Sequence, residues 1–149
     1  MAIYWFTGQP GSGKTTLAKK LQNWLQTDKK NWRKTVFHID GDQLRELFPN
    51  TNYTKEGREL NIQKAMDISK YLESTGHDVV VSLVSPYIKM RETLKSECKV
   101  QEIYCHTQKI RGREQYFALD YEPPIDFYID LDTSEIVDVT FSKLIKVLI

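Results

Sequence analysis

Eight residues near the start of the chain constrain its fold more than any other feature. Gly8-Gln9-Pro10-Gly11-Ser12-Gly13-Lys14-Thr15 follows the pattern G-x-x-x-x-G-K-[ST]. Residues 2–7 ahead of it form an apolar run of strand length. Leu17, Leu21, Trp24 and Leu25 after it fall on one helical stripe. A strand, a glycine-rich turn and a helix in that order let backbone N–H groups curl around an anion, and the helix start adds its positive end. Lys14 then supplies a point charge for terminal phosphates and Thr15 a hydroxyl for Mg²⁺, with Thr16 continuing the nucleotide cradle. The same residues can be read as a plain glycine-rich link, but the full motif in this context points to a bound nucleoside triphosphate. It says nothing of the phosphate's destination. Lys14 is expected on a solvent-facing loop.

Further strand-like segments recur at 35–39 (TVFHI), 78–84 (DVVVSLV), 100–105 (VQEIYC) and 125–131 (IDFYIDL). The third strand of the chain, 78–84, is almost wholly apolar, as a strand buried on both faces should be. Helices are predicted between them. A short one around Leu44, Leu47 and Phe48 stops at Pro49-Asn50, and a long one runs from a Thr54 cap to about residue 75, ending at Gly76. Ser85-Pro86 is expected to cap a helix reaching about residue 95. Asp138 is expected to cap a last one through Phe141, Leu144, Ile145 and Leu148. Residues 107–124 are polar and rich in turn signals, so they read as a loop or lid. Alternating strands and helices imply a three-layer α/β fold with a five-stranded parallel sheet covered on both faces. Right-handed crossovers put every strand's C-terminal end on one edge, where ligands bind. Gly8, Asp40, Ser85 and His106 should meet there.

Composition narrows the function classes. With 149 residues, 40% of them hydrophobic and 28% charged, the chain is expected to fold as one domain over residues 1–149. A net charge of +1 gives no global field toward nucleic acid or acidic lipid. Lys29, Lys30, Arg33 and Lys34 around Trp32 read as a solvated connection rather than a nucleic-acid contact. Cys98 and Cys105 are too few for a disulfide framework and read as packing residues. His38, His77 and His106 lack metal-ligand spacing. No apolar run approaches the length that spans a bilayer, and no leader pattern opens the chain. A soluble, reduced, cytoplasmic protein is expected.

Asp40-Gly41-Asp42 follows the second strand, with Arg45 one turn on. Taken alone, the two aspartates read as a turn and a helix cap. Beside a phosphate loop they read as a pair in which one carboxylate (Asp40, with Thr15) approaches Mg²⁺ and the other (Asp42) accepts a hydrogen bond from an attacking hydroxyl. Lys14, Asp40 and Asp42 are thus the candidate catalytic residues.

FTGQPGSGKTTLA, HIDGDQLR, YTKEGRELNIQKA, VSLVSPY and DYEPP occur in one order along the chain. Together they resemble the adenylylsulfate kinases (APS kinases), P-loop enzymes of the nucleoside-monophosphate-kinase type. That family moves phosphate from ATP to the ribose 3′-hydroxyl of adenosine 5′-phosphosulfate (APS), making PAPS. The resemblance implies Mg²⁺ with ATP as donor. It implies that Arg45, Arg58 and Asn61 grip the phosphosulfate and nucleoside. It further implies that Tyr53 and Phe117 face the acceptor adenine and that the backbone of Leu83, Val84 and Ser85 reads it. Tyr121, Glu122 and Pro124 match the closing motif. Small-molecule substrates, no membrane or nucleic-acid partner and a homodimer are implied by the same resemblance.

The lid departs from the family. Residues 107–120, TQKIRGREQYFALD, are shorter than the family's R-D-x-K-G-x-Y segment with its F-x-G-I-D continuation. Arg113-Glu114 reads as a remnant of the Arg-Asp pair, with Arg113 toward the nucleotide and Tyr116 as the later tyrosine. The missing lysine and glycine point to weaker nucleotide retention, a more open site, or another acceptor. Gln63 and Lys64 stand where the family tends to carry basic residues. The chain starts almost at its first strand, so a minimal version of the fold is expected. The alternatives to APS are a polynucleotide 5′-hydroxyl, a modified pyrimidine, or a non-catalytic nucleotide-binding module. Retained Lys14, Thr15, Asp40 and Asp42 argue against the last.

Overall fold

The structure is a computed structural model that describes residues 2–27 and 35–148. The basic stretch at 29–34 lies outside the described residues. Five strands, β1 (Ile3–Thr7), β2 (Val36–Asp40), β3 (Asp78–Ser82), β4 (Val100–His106) and β5 (Tyr128–Asp132), form one sheet in the order β2-β3-β1-β4-β5, every pair parallel. Five helices connect and cover them: α1 (Lys14–Gln26), α2 (Gly41–Leu47), α3 (Lys55–Ser74), α4 (Ile88–Glu97) and α5 (Val137–Leu148). The expected three-layer α/β architecture is what the chain adopts.

The layers arise from side-chain alternation. Ile3 and Trp5 of β1 and Val79 and Val81 of β3 face one side, against Leu44, Ile62, Ala65, Met66 and Leu94 from α2, α3 and α4. Phe6, Val80, Ile103, Cys105 and Leu131 face the other, against Leu17, Ala18 and Leu21 of α1 and Leu144 of α5. Because β1 and β3 feed both cores, they are buried throughout apart from Tyr4, which is half-buried. Cys105 sits inside the second core and Cys98 packs against the first, so both are packing residues.

Helix starts match expectation at α3 and differ at α4 and α5. Thr54 Oγ1 accepts from the Gly57 amide (3.4 Å), as a capping threonine does. Ser85-Pro86, however, does not start α4. Ser85 turns into the left-handed region (φ +38°) and its hydroxyl bonds back to Trp5 and Thr7 beneath. The helix begins at Ile88, whose amide donates to the Glu122 carboxylate (3.1 Å), so the cap comes from across the chain. Asp138 is not the cap of α5 either. It lies in the first turn, near the helix's positive end, and pairs with Lys20 (3.1 Å). The last strand starts at Tyr128, since Phe127 just before it has φ +50°. Among the described residues, no helix is long and apolar enough to cross a membrane.

Candidate active site

The strand ends of β1, β2 and β3 open on one cavity of about 720 Å³. His106, expected at the same edge, ends β4 but bonds Asp130 on β5 (3.0 Å) and does not line this cavity.

The phosphate loop curls because its glycines reach conformations closed to other residues. Gly8 (φ +151°) passes so near β4 that a Cβ there would sit 2.2 Å from the Cys105 carbonyl oxygen. Gly13 (φ +90°) turns the chain into α1. Lys14 departs from expectation: it is buried, 8% exposed, rather than solvent-facing. As the first residue of α1, its side chain folds under the loop, where Nζ donates to the Gln9 carbonyl (2.9 Å) and approaches Ser12 Oγ (3.4 Å). Burial lowers its pKa to about 8, with the Asp42 and Asp40 carboxylates acting in the opposite sense.

At the end of β2, Asp40 gathers donors. Thr15 Oγ1 (3.0 Å) and Ser82 Oγ (2.8 Å) both donate to Asp40 Oδ1. Oδ2 accepts from the Gln43 amide (3.4 Å), so Asp40 also caps α2. Ser82 has its hydrogen committed to Asp40. The ring nitrogen that meets Ser82 Oγ, His38 Nε2 (2.7 Å), is therefore the donor. His38 is half-buried, and burial lowers its pKa. Thr15 and Asp40 are hard oxygen donors beside the phosphate loop, the kind of partial set that holds Mg²⁺ together with phosphate and water. The described residues contain no cluster of three or more His, Cys, Asp or Glu side chains for a metal. Asp42 lies one position into α2, exposed and lining the cavity.

The other wall carries the predicted acceptor residues. Arg45 NH1 donates to the Asn50 and Asn52 carbonyls (2.9 and 3.1 Å), and its guanidinium lies 4.1 Å from the Tyr53 ring centre. One edge of Arg45 therefore shapes the loop that presents Tyr53. Close approach of α3 to that loop requires Gly57, where a Cβ would meet Asn52 O at 2.1 Å. Asn61 is 3% exposed; Nδ2 donates to Gly41 O (3.3 Å), and Oδ1 is buried without a partner among the described residues. Arg58 NH1 pairs with Asp120 Oδ1 at 3.1 Å. Leu83, Val84, Ser85 and Phe117 complete the lining. The Val84 and Ser85 carbonyls are already engaged by Thr7 Oγ1 (2.8 Å) and Arg91 NH1 (2.6 Å).

Residues 118–122 form a strap across this wall. Ala118 exchanges two 2.8 Å hydrogen bonds with the Gln9 side chain. Tyr121 OH meets Thr7 Oγ1 (2.8 Å). Glu122 N donates to Pro86 O (2.8 Å) while its carboxylate caps α4. The short lid is thus fastened to the phosphate loop rather than standing open. Arg113 lines the cavity, its guanidinium 5.5 Å from the Tyr116 ring.

Sequence reasoning missed the fasteners. Arg111 NH1 donates to Gly11 O (3.1 Å) and its other terminal nitrogen to Thr133 O, while Thr133 Oγ1 donates to Ser12 O (2.7 Å). Arg91, fully buried, donates to Glu102 (2.7 Å) and to the Glu122 carbonyl, bracing the strap from below. Most of these bonds join residues far apart in sequence, so no local pattern announces them.

The family model described as Adenylylsulphate kinase matches residues 1–115. A probable adenylyl-sulfate kinase of Pyrococcus abyssi is 38% identical over 104 residues, covering 68% of this chain and 58% of that protein. The adenylyl-sulfate kinase of Pseudomonas aeruginosa is 31% identical over 170 residues, covering 99% of this chain and 85% of that protein. A cytidine diphosphoramidate kinase of Campylobacter jejuni is 32% identical over 116 residues, 76% of this chain and 66% of its own length. Among solved structures, the Mycobacterium tuberculosis APS kinase in complex with AMPPNP and APS superposes with a TM-score of 0.81 at 21% identity, covering 99% of this chain and 96% of that one. The chain therefore spans from under two thirds to most of the length of the relatives it matches.

Proposed function

The chain belongs to the adenylylsulphate kinase family, and from that premise we propose that it transfers the γ-phosphate of ATP to the 3′-hydroxyl of adenosine 5′-phosphosulfate. The observation that carries this reading is one cavity with two chemically different ends. A phosphate loop with a buried lysine closes one end, and Arg58, Arg45, Asn61 and Tyr53 line the other. Asp40 and Asp42 line the same cavity.

In this reading the loop amides and Lys14 hold the β- and γ-phosphates, and Arg113 adds charge from the lid side. Thr15 and Asp40 would hold Mg²⁺, which would supply charge neutralisation for the phosphates when bound. Asp42 accepts the hydrogen bond of the acceptor hydroxyl and takes its proton as the oxygen–phosphorus bond forms. Arg58 and Arg45 hold the anionic end of the acceptor, charge-assisted bonds being the stronger kind. Tyr53 and Phe117 flank its base. The orphaned Asn61 Oδ1 is an acceptor waiting for a ligand donor, because a buried oxygen without one is unfavourable. A homodimer and a cytoplasmic location complete the proposal on the family resemblance alone.

The Campylobacter relative keeps a nucleotide acceptor with a different base and 5′ group within the proposal's reach. The deciding experiment supplies radiolabelled Mg-ATP with APS, a cytidine diphosphate derivative and a 5′-hydroxyl oligonucleotide in parallel. Labelled PAPS is the expected product. Label on the cytidine compound or on the oligonucleotide, with none on APS, would replace the proposal.

A further inference from the structure

Arg58 has a carboxylate on it. Asp120 Oδ1 stands 3.1 Å from Arg58 NH1, at the position where the proposed acceptor presents its anionic group. Asp120 belongs to the strap, and its neighbours are attached differently from it. Ala118 is held by paired hydrogen bonds to Gln9, Tyr121 by Thr7, and Glu122 by Pro86 and Ile88. Those bonds fix the backbone on both sides. The Asp120 side chain instead attaches through an ion pair, and it is about half exposed. Arg58 lines the cavity while Asp120 does not, so the carboxylate approaches the guanidinium from outside.

Beside the pair lies the buried Tyr87 hydroxyl, near enough to Arg58 and Asp120 to interact with both, though outside hydrogen-bond geometry. Burial raises its pKa, so it remains a neutral donor. An anion arriving at Arg58 would find both a guanidinium and a hydroxyl hydrogen to take.

We propose that Asp120 is an internal competitor for Arg58, a specificity-determining residue that sets how much negative charge an acceptor must carry to enter. The inference rests on the acceptor reading of Arg58 given above. Its physical basis is an asymmetry. A partly exposed monodentate ion pair is weak because water and salt screen it. An acceptor anion bound in the cavity gains a better-desolvated, charge-assisted contact with the same guanidinium. An acceptor with a charged 5′ group therefore displaces Asp120, and one without it leaves the Arg58–Asp120 pair intact. The strap need not move, since Ala118, Tyr121 and Glu122 hold it independently.

The test is calorimetric binding of APS and of adenosine to the wild-type chain and to Asp120→Asn, with Arg58→Ala as reference. Asparagine keeps the size and removes the charge. Asp120→Asn is expected to bind APS about threefold tighter than wild type, with adenosine affinity unaltered, and the gain should shrink at high salt. In Arg58→Ala the second change, Asp120→Asn, should give no gain. Unchanged or weaker APS binding by Asp120→Asn overturns the inference, weaker binding showing instead that Asp120 positions Arg58. Turnover separates the two ideas. A wild-type chain that makes no PAPS defeats the function proposed above. Tighter APS binding by Asp120→Asn supports competition whether or not wild-type turnover is seen.

Discussion

The nucleotide side and the acceptor side of the cavity are built on opposite plans. Gly8 to Thr15 are eight consecutive residues running from the end of β1 into the first turn of α1, and backbone geometry does the shaping. The acceptor wall draws on α2, α3, the end of β3 and the strap, and side chains hold it together. Arg45 fixes the 50–52 loop, Gln9 fixes Ala118, and Arg91 fixes both Ser85 and Glu122. A site set by local backbone tolerates change around it. A site set by side-chain bonds across the fold can be retuned one residue at a time. The family match covers residues 1–115, the phosphate loop together with most of the acceptor wall, and stops inside the lid before the strap.

The largest expected effect tests the backbone half. Gly8→Ala puts a Cβ 2.2 Å from a β4 carbonyl in a backbone conformation alanine disfavours. Both atoms that must separate belong to the central sheet or the loop leaving it. A loss of about 3 kcal/mol is expected, read as a fall in Tm of roughly 10 °C together with lost ATP binding. A variant that melts like wild type would show that the loop is more yielding than its geometry implies.

Chemistry comes next. Asp42→Asn retains shape and exposure but removes the carboxylate proposed to take the hydroxyl proton. With both substrates saturating, the rate should drop about 10²-fold while ATP affinity holds. An unchanged rate would take Asp42 out of the mechanism and leave Asp40 as the carboxylate of the reaction.

Lys14 sharpens the comparison through pH. Its pKa in the free protein, about 8, lies below the ordinary lysine value because the folded loop buries it. Between about pH 8 and the ordinary value the unfolded chain holds the extra proton, so this group's contribution makes the free protein more stable as pH rises. In the proposed reading phosphate binding uses the ammonium, so nucleotide affinity should run the other way. ATP is expected to bind about tenfold more weakly at pH 9 than at pH 7, with proton uptake on binding in that range. Calorimetry in buffers of different ionisation enthalpy measures that uptake. Flat affinity across the window would mean the lysine stays charged under the loop.

Legibility in the sequence divides along the same line. The phosphate loop, the sheet and the Thr54 cap could be read because each is a local pattern: spacing, periodicity, a capping residue ahead of a helix. Asp40 and Asp42 could be read because they follow a strand end in a parallel sheet. The burial of Lys14 could not, since it depends on how α1 packs under the loop. Nor could the start of α4. Ser85-Pro86 has the local signature of a helix opening, but Trp5 and Thr7 claim the serine hydroxyl from the neighbouring strand. Glu122, 34 residues beyond Ile88, supplies the cap instead. Tertiary hydrogen bonds outweighed local preference there, as they did along the whole strap.

Glu122 offers the smallest and most discriminating test. Its carboxylate meets the first amide of α4 at 3.1 Å, near that helix's positive end, so two effects overlap: a hydrogen bond and a charge–dipole attraction. Glu122→Gln keeps an oxygen for the Ile88 amide and drops only the charge. The backbone bonds from Glu122 N to Pro86 and from Arg91 to the Glu122 carbonyl do not depend on the side chain, so the strap should stay in place. The expected loss is about 0.5 kcal/mol, a Tm change of roughly 1–2 °C that fades as salt screens the attraction. Glu122→Ala, which removes the acceptor as well, should cost about 1 kcal/mol and keep most of that loss at high salt. Equal losses for the two variants, both erased by salt, would mean charge alone makes the cap. The acceptor wall would then owe its position to the strap's backbone bonds and to nothing that Glu122's side chain contributes.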